Sequence, residues 1–165
     1  MLVKNLHIGE HKHCEDNTLT TKSGTFTFHN DWNNLLSRDD AKEFCKKRGE
    51  ILAPITNWDD YQKIRNFTDG CTNLGGGEVY RIGLDVIDDK NRYFTNGEVY
   101  DENVHGPPLY ESIKHINTKP ACWEAYFNAI SVFKTLMINQ NKHCLPVEYP
   151  FICLKPSASF PRICN

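Results

Sequence analysis

Seven cysteines, at 14, 45, 71, 122, 144, 153 and 164, are the residues of this 165-residue chain best equipped for chemistry. Thiols at this density act as crosslinks, metal ligands or nucleophiles. His7, His11, His13 and Cys14 lie within eight residues and use the vocabulary of zinc or copper sites. No second ligand pair stands at tetrahedral-site spacing, so the segment reads as a polar arm. Cys71 lacks the neighbouring base and electropositive setting that would make it a nucleophile, and His105, His115 and His143 belong to no catalytic signature. Gly75-Gly76-Gly77 is followed by VYRIGL rather than by Lys-Ser/Thr and a helix, so it is not a phosphate cradle. The residues give no reason to expect an enzyme. They point to disulfides, and hence to an extracellular or lumenal compartment.

Composition narrows the classes further. Lys and Arg total 19 and Asp and Glu total 21, a net charge of −2 that offers no global field for nucleic acid or an acidic membrane. No stretch approaches the ~20 apolar residues of a membrane-spanning helix. Residues 1 to 14, MLVKNLHIGEHKHC, lack a signal-peptide core and read as the start of a mature or excised chain. Asn66-Phe67-Thr68 is a glycosylation acceptor sequon, in keeping with secretion.

The elements that must position these residues follow from spacing. TFTFHNDW, residues 25 to 32, alternates Phe26 and Phe28 in the period of a strand. Ser37 predicts the cap of a helix with Asp39 and Asp40 in its first turn, Ala41, Phe44 and Cys45 on one face, and Gly49 at its end. Asn57 predicts a second cap, with Trp58, Tyr61 and Ile64 at helical spacing up to Asp69-Gly70. Beyond the glycines, VYRIGLDV, NRYFTNGEVY, CWEAYF, KTLMI and PFICLK read as strands. Residues 101 to 121 carry Gly106-Pro107-Pro108 and Pro120 and little periodicity, the mark of a long binding segment. The division is an N-terminal arm or hairpin at 1–24, a domain at 25–155, and a C-terminal tail at 156–165 that leaves it.

In order and spacing, these features resemble the C-type lectin-like domain. The residues that carry the resemblance are AKEFC ending at Cys45, Tyr80-Arg81-Ile82-Gly83-Leu84, Phe94-Thr95-Asn96-Gly97, Cys122 with Cys144, and Pro150-Phe151-Ile152-Cys153. Arg81 stands where the family has a signature Trp, and Phe94 replaces another core aromatic. The resemblance implies an α+β fold: two helices flanking antiparallel sheets, a long loop region, and disulfide stabilisation. It implies the pairs Cys45–Cys153 and Cys122–Cys144. Because chain ends lie close together in this fold, Cys14–Cys164 is the preferred third pair, with Cys14–Cys71 left open. Cys71 is then free or available to bridge a second chain as a dimer.

Family members that bind sugar through calcium carry a Glu-Pro-Asn type tripeptide, a Glu before the first loop Cys, and Trp-Asn-Asp before the second. This chain has no such tripeptide, Pro120 before the cysteine, and Asn139-Gln140-Asn141 in place of the last motif. Between Ser112 and His143 the sole acidic residue is Glu124, against Lys114, Lys119, Lys134 and Lys142. Calcium needs about 6 to 8 oxygen ligands, several of them carboxylates, so no cofactor is expected. The reading is an extracellular, calcium-independent recognition module, secreted or the ectodomain of a receptor, that binds a protein ligand. Its candidate contacts are Tyr110, Lys114, His115, Lys119, Asn139, Asn141 and Lys142. Two alternatives are a calcium-dependent, glycan-binding lectin with atypical ligands, Asp101 or Glu102 among them, and an assembly domain linked through Cys71.

Overall fold

The computed structural model describes residues 12–31, 35–75, 78–88, 90–111, 122–129, 135–141 and 148–163; of Cys122, Thr135, Asn139, Gln140 and Asn141 it describes the backbone alone. In chain order the elements are β1 (Thr18–Thr21), β2 (Gly24–His29), α1 (Arg38–Lys47), β3 (Ile51–Leu52), α2 (Trp58–Gly70) and α3 (Thr72–Gly75). There follow β4 (Val79–Val86), β5 (Arg92–Phe94), α4 (Glu102–His105), β6 (Cys122–Asn128), β7 (Thr135–Asn141) and β8 (Phe151–Pro156). The strands form one sheet in the order β1-β2-β8-β4-β6-β7, with β3 also paired to β8 and β5 to β4. The fold is α+β, as the resemblance implied.

Both long helices start where their caps place them. The Ser37 hydroxyl accepts from the Asp40 amide, and Asn57 Oδ1 accepts from the Asp60 amide at 2.8 Å. Each cap satisfies an amide that the first helical turn leaves unpaired, at a gain of about 1 kcal/mol. Asp60, buried in turn, accepts from the Ser23 hydroxyl at 2.5 Å and so ties α2 to the β1–β2 turn. Phe26 and Phe28 of β2 and Ile152 and Leu154 of β8 are fully buried in one core. Each such side chain contributes about 1.5–3 kcal/mol relative to an exposed one.

Two glycines hold the crossings. A Cβ on Gly83 would run into the Leu52 carbonyl oxygen, so β4 can lie this close to β3 only with glycine there. Gly97 has φ of 89°, a left-handed conformation that closes the turn after β5. The residues after β8 correct the expectation of a tail leaving the domain. Phe160 is buried, the Ile163 amide donates to the Asn96 carbonyl at 2.9 Å, and Asn96 Nδ2 donates to the Pro161 carbonyl at 3.1 Å.

Cys45 on α1 is bonded to Cys153 on β8 across 108 residues, and Cys14 is bonded to Cys71 across 57. The second bond corrects the preferred Cys14–Cys164 pairing and removes both the free thiol at Cys71 and the dimer built on it. Cys71 is 3% exposed and occupied within the chain. The cause is a docking contact: Asn73 Oδ1 accepts from the Cys14 amide at 2.9 Å while its Nδ2 donates to the Cys14 carbonyl at 3.0 Å. The arm is thereby held against the end of α2, with Lys12 bridged to Cys71. Loop-closure entropy makes the two bonds worth about 5 and about 4 kcal/mol. The Cys122–Cys144 pair and Cys164 lie outside the described side chains, as do His7 and His11.

Beside Cys153, under α1, lies a small second core in which His29 stacks on Phe151 at 4.8 Å and meets Phe44 edge-on at 4.9 Å. Burial, with the Arg48 charge adding to it, pushes the His29 imidazole from 6.5 down to about 4. The folded chain therefore keeps His29 neutral while the unfolded chain protonates it below about pH 6.5, so stability is full above that pH and falls toward pH 4. Allowing for its partial exposure, the loss is about 2 kcal/mol. The difference in urea midpoint between wild type and His29→Phe should be constant above pH 7, and the variant should lose less stability between pH 6.5 and 4. Mass mapping under non-reducing conditions should recover the Cys14 peptide joined to the Cys71 peptide; a Cys14–Cys164 peptide would refute the docking described above.

Candidate functional site

β4, β6 and β7 are neighbours in the sheet, and β4 and β6 bury an unusual pair of charges. Arg81 of β4 is 1% exposed. Its Nε donates to Glu124 Oε1 at 2.8 Å and its Nη2 to Glu124 Oε2 at 3.2 Å, while Nη1 donates to the Leu36 carbonyl at 2.7 Å. Arg81 lies opposite Tyr126 in the β4–β6 register, so Glu124 is its diagonal neighbour, within reach of a long side chain. The Tyr126 hydroxyl donates to Glu124 Oε2 at 2.5 Å, and the Tyr149 ring lies 5.3 Å from the guanidinium. Burial, reinforced by the Glu124 carboxylate, holds the Tyr126 hydroxyl well above the ordinary phenol range, so it stays a donor.

Glu124 is the one carboxylate in the sequence between Ser112 and His143, and it is 5% exposed with both oxygens engaged. Releasing it to a cation would strand a buried guanidinium, which costs several kcal/mol. Alongside, Asp85 pairs with Arg38 and, at 2.9 Å, with Lys42, joining α1 to β4. Burial lowers the pKa of Arg38 and the Glu124 charge opposes that, so the two ion-pair groups share one field.

Residues 98 to 111 hold the other candidate contacts that the structure describes. Asp101 Oδ1 caps α4 by accepting from the Asn103 amide at 2.9 Å, and Glu102 reaches Arg92 at 3.4 Å. Both carboxylates raised as alternative calcium ligands thus have partners. His105 is buried against Phe94 and Tyr100, its Nδ1 accepting from the Asp101 amide at 2.9 Å. Tyr110, expected as a ligand contact, is 1% exposed and donates to the Ile55 carbonyl at 2.8 Å. Its ring belongs to the core, and burial raises its pKa well above the usual value.

Of the other expected contacts, Lys114, His115, Lys119 and Lys142 lie outside the described residues, and Asn139 and Asn141 are described only as backbone of β7. Asn66 is exposed on α2, where a glycan would meet solvent. Among the described residues, the one cluster of donor atoms close enough to share an ion is His29, Glu50 and Cys153, and the Cys153 sulfur is already bonded to Cys45. What spacing alone missed is the Arg81–Glu124 pair. Its signal was a charged residue inside each of two otherwise apolar strands, RIGL and CWEAYF.

No protein-family profile and no curated protein sequence matches the chain. Solved structures do. The carbohydrate-recognition domain of a mouse scavenger receptor C-type lectin superposes with a TM-score of 0.59 at 18% identity, covering 90% of this chain and 100% of that one. A calcium-independent type II antifreeze protein gives 0.58 at 16%, covering 87% and 94%. The Ca2+-free form of a Ca2+-dependent type II antifreeze protein gives 0.59 at 17%, covering 85% and 98%. The chain folds as a C-type lectin-like domain. Its structural neighbours include both calcium-dependent and calcium-independent proteins, so the fold leaves the ligand chemistry to the side chains. In this C-type lectin-like domain, Arg81, which the resemblance sets against the family's signature Trp, is satisfied by Glu124 rather than by apolar packing. Arg81→Met and Glu124→Gln should each cost about 3–5 kcal/mol in urea unfolding, and the Arg81→Met/Glu124→Leu double variant less than the sum of its two single changes. Additive losses would show that the pair acts independently.

Proposed function

We propose that this chain is an extracellular, calcium-independent recognition module that binds a protein ligand through its long loop region, residues 101 to 121 together with 128 to 143. One observation carries the reading: Glu124, the sole carboxylate between Ser112 and His143, is buried and bound to Arg81 and Tyr126. With it withdrawn, Lys114, Lys119, Lys134 and Lys142 are the charged residues left between Ser112 and His143, where they repel a dication and attract an acidic partner. The two disulfides favour an oxidising compartment, and among the described residues no helix is long and apolar enough to cross a membrane. Secretion, or display on a receptor, with a glycan at exposed Asn66, completes the proposal. No catalytic role is assigned.

Calorimetry should show no saturable calcium binding up to millimolar concentrations, and a Kd in the micromolar to millimolar range lost on Asn141→Ala would overturn the calcium-independent reading. Against an array of extracellular proteins, specific capture should weaken as salt rises and be lost in the Lys114→Glu/Lys119→Glu/Lys142→Glu variant. Capture unchanged in that variant would move the site elsewhere.

A further inference from the structure

A groove of about 500 Å³ lies between α1, β3 and the segment that folds back after β8, and among the described residues none of the long loop region lines it. Its volume falls in the range of roughly 300–1,000 Å³ typical of small-molecule sites. Leu52 and Phe94 underlie it, and Ile163, 47% exposed, leaves an apolar wall open. Lys42 and Lys46 stand one turn apart on α1, and Arg162 comes from the returning segment.

The charges do not cancel. Asp85 is shared by Arg38 and Lys42, and Glu50 has Arg48 at 3.5 Å. Both carboxylates in the groove wall therefore have cationic partners, while Lys46 and Arg162 have no carboxylate within 4.0 Å among the described residues. Arg162 is also held in place, because Asn96 bonds its two chain neighbours: the side chain donates to the Pro161 carbonyl and the carbonyl accepts from the Ile163 amide. Glycine at 97 lets the segment lie this close, since a Cβ there would meet the Ile163 carbonyl oxygen.

We infer that this groove is a binding site for a small amphipathic anion, an apolar or aromatic body carrying one carboxylate, sulfate or sulfonate group. The body lies on Leu52, Phe94 and Ile163, and the anionic group meets Lys46 and the planar donor fork of Arg162. A neutral ligand of the same shape gains the apolar contact alone, and a cation is repelled.

Titration of the 15N-labelled chain with naphthalene-1-sulfonate, and in parallel with neutral 1-naphthalenemethanol, tests this. The sulfonate should shift the amides of Ile51, Asn96 and Ile163 saturably, with an affinity about tenfold above that of the alcohol at low salt. Lys46→Gln/Arg162→Gln should reduce the sulfonate to the alcohol's affinity. Asn96→Ala, which frees the segment without changing charge, should weaken both probes. The Lys114→Glu/Lys119→Glu/Lys142→Glu variant should bind the sulfonate as wild type does, which separates this site from the long-loop proposal. Equal affinity for the two probes, shifts confined to the long loop region, or sulfonate binding unchanged in the double variant would each overturn the inference.

Discussion

A guanidinium buried on β4 has to be met by a carboxylate, and the adjoining strand supplies Glu124 for it. That single requirement organises much of the molecule. It fixes the relation of β4 to β6, because both guanidinium edges that face Glu124 are engaged. It draws the segment before α1 inward, through the Leu36 carbonyl. It also engages, inside the fold, the one carboxylate that the sequence has between Ser112 and His143. Structure and charge are coupled here through one residue, whose carboxylate is committed to the guanidinium and a phenol inside the fold.

The crosslinks act on a different scale. Cys45–Cys153 joins a helix to the strand at the centre of the sheet, and Cys14–Cys71 pins the N-terminal arm to the end of α2. Both draw on the entropy of the unfolded chain rather than on contacts, so they stabilise whatever packing the apolar residues choose. The returning C-terminal segment, by contrast, is held by hydrogen bonds at Asn96 and by burial of Phe160. The β4–β6 pairing and the groove beside α1 are thus held by separate means, one by an interior ion pair and one by a folded-back strap.

Tyr110 shows the reach of local reasoning. In sequence it sits in an irregular, proline-rich stretch among charged residues, and nothing nearby marks it as a core side chain. Its burial is decided by Ile55, 55 residues away, whose carbonyl accepts from its hydroxyl. Asn73 makes the same point for the disulfides, since its amide fits the Cys14 backbone across 59 residues, an encounter no spacing rule contains. Such contacts depend on where whole elements pack, and sequence separation carries no information about that.

Periodicity, caps and turn residues act within a few positions, and these were legible from the chain alone: the helices begun by Ser37 and Asn57, and the strands around Phe26, Arg81, Trp123 and Ile152. So were the order of elements and the scarcity of acidic oxygen between Ser112 and His143, which are properties of a line of residues. Which cysteine meets Cys14, what neutralises Arg81, and where the last residues lie were decided only in three dimensions. Each is settled by a competition among partners far apart in the chain, and packing selects the winner.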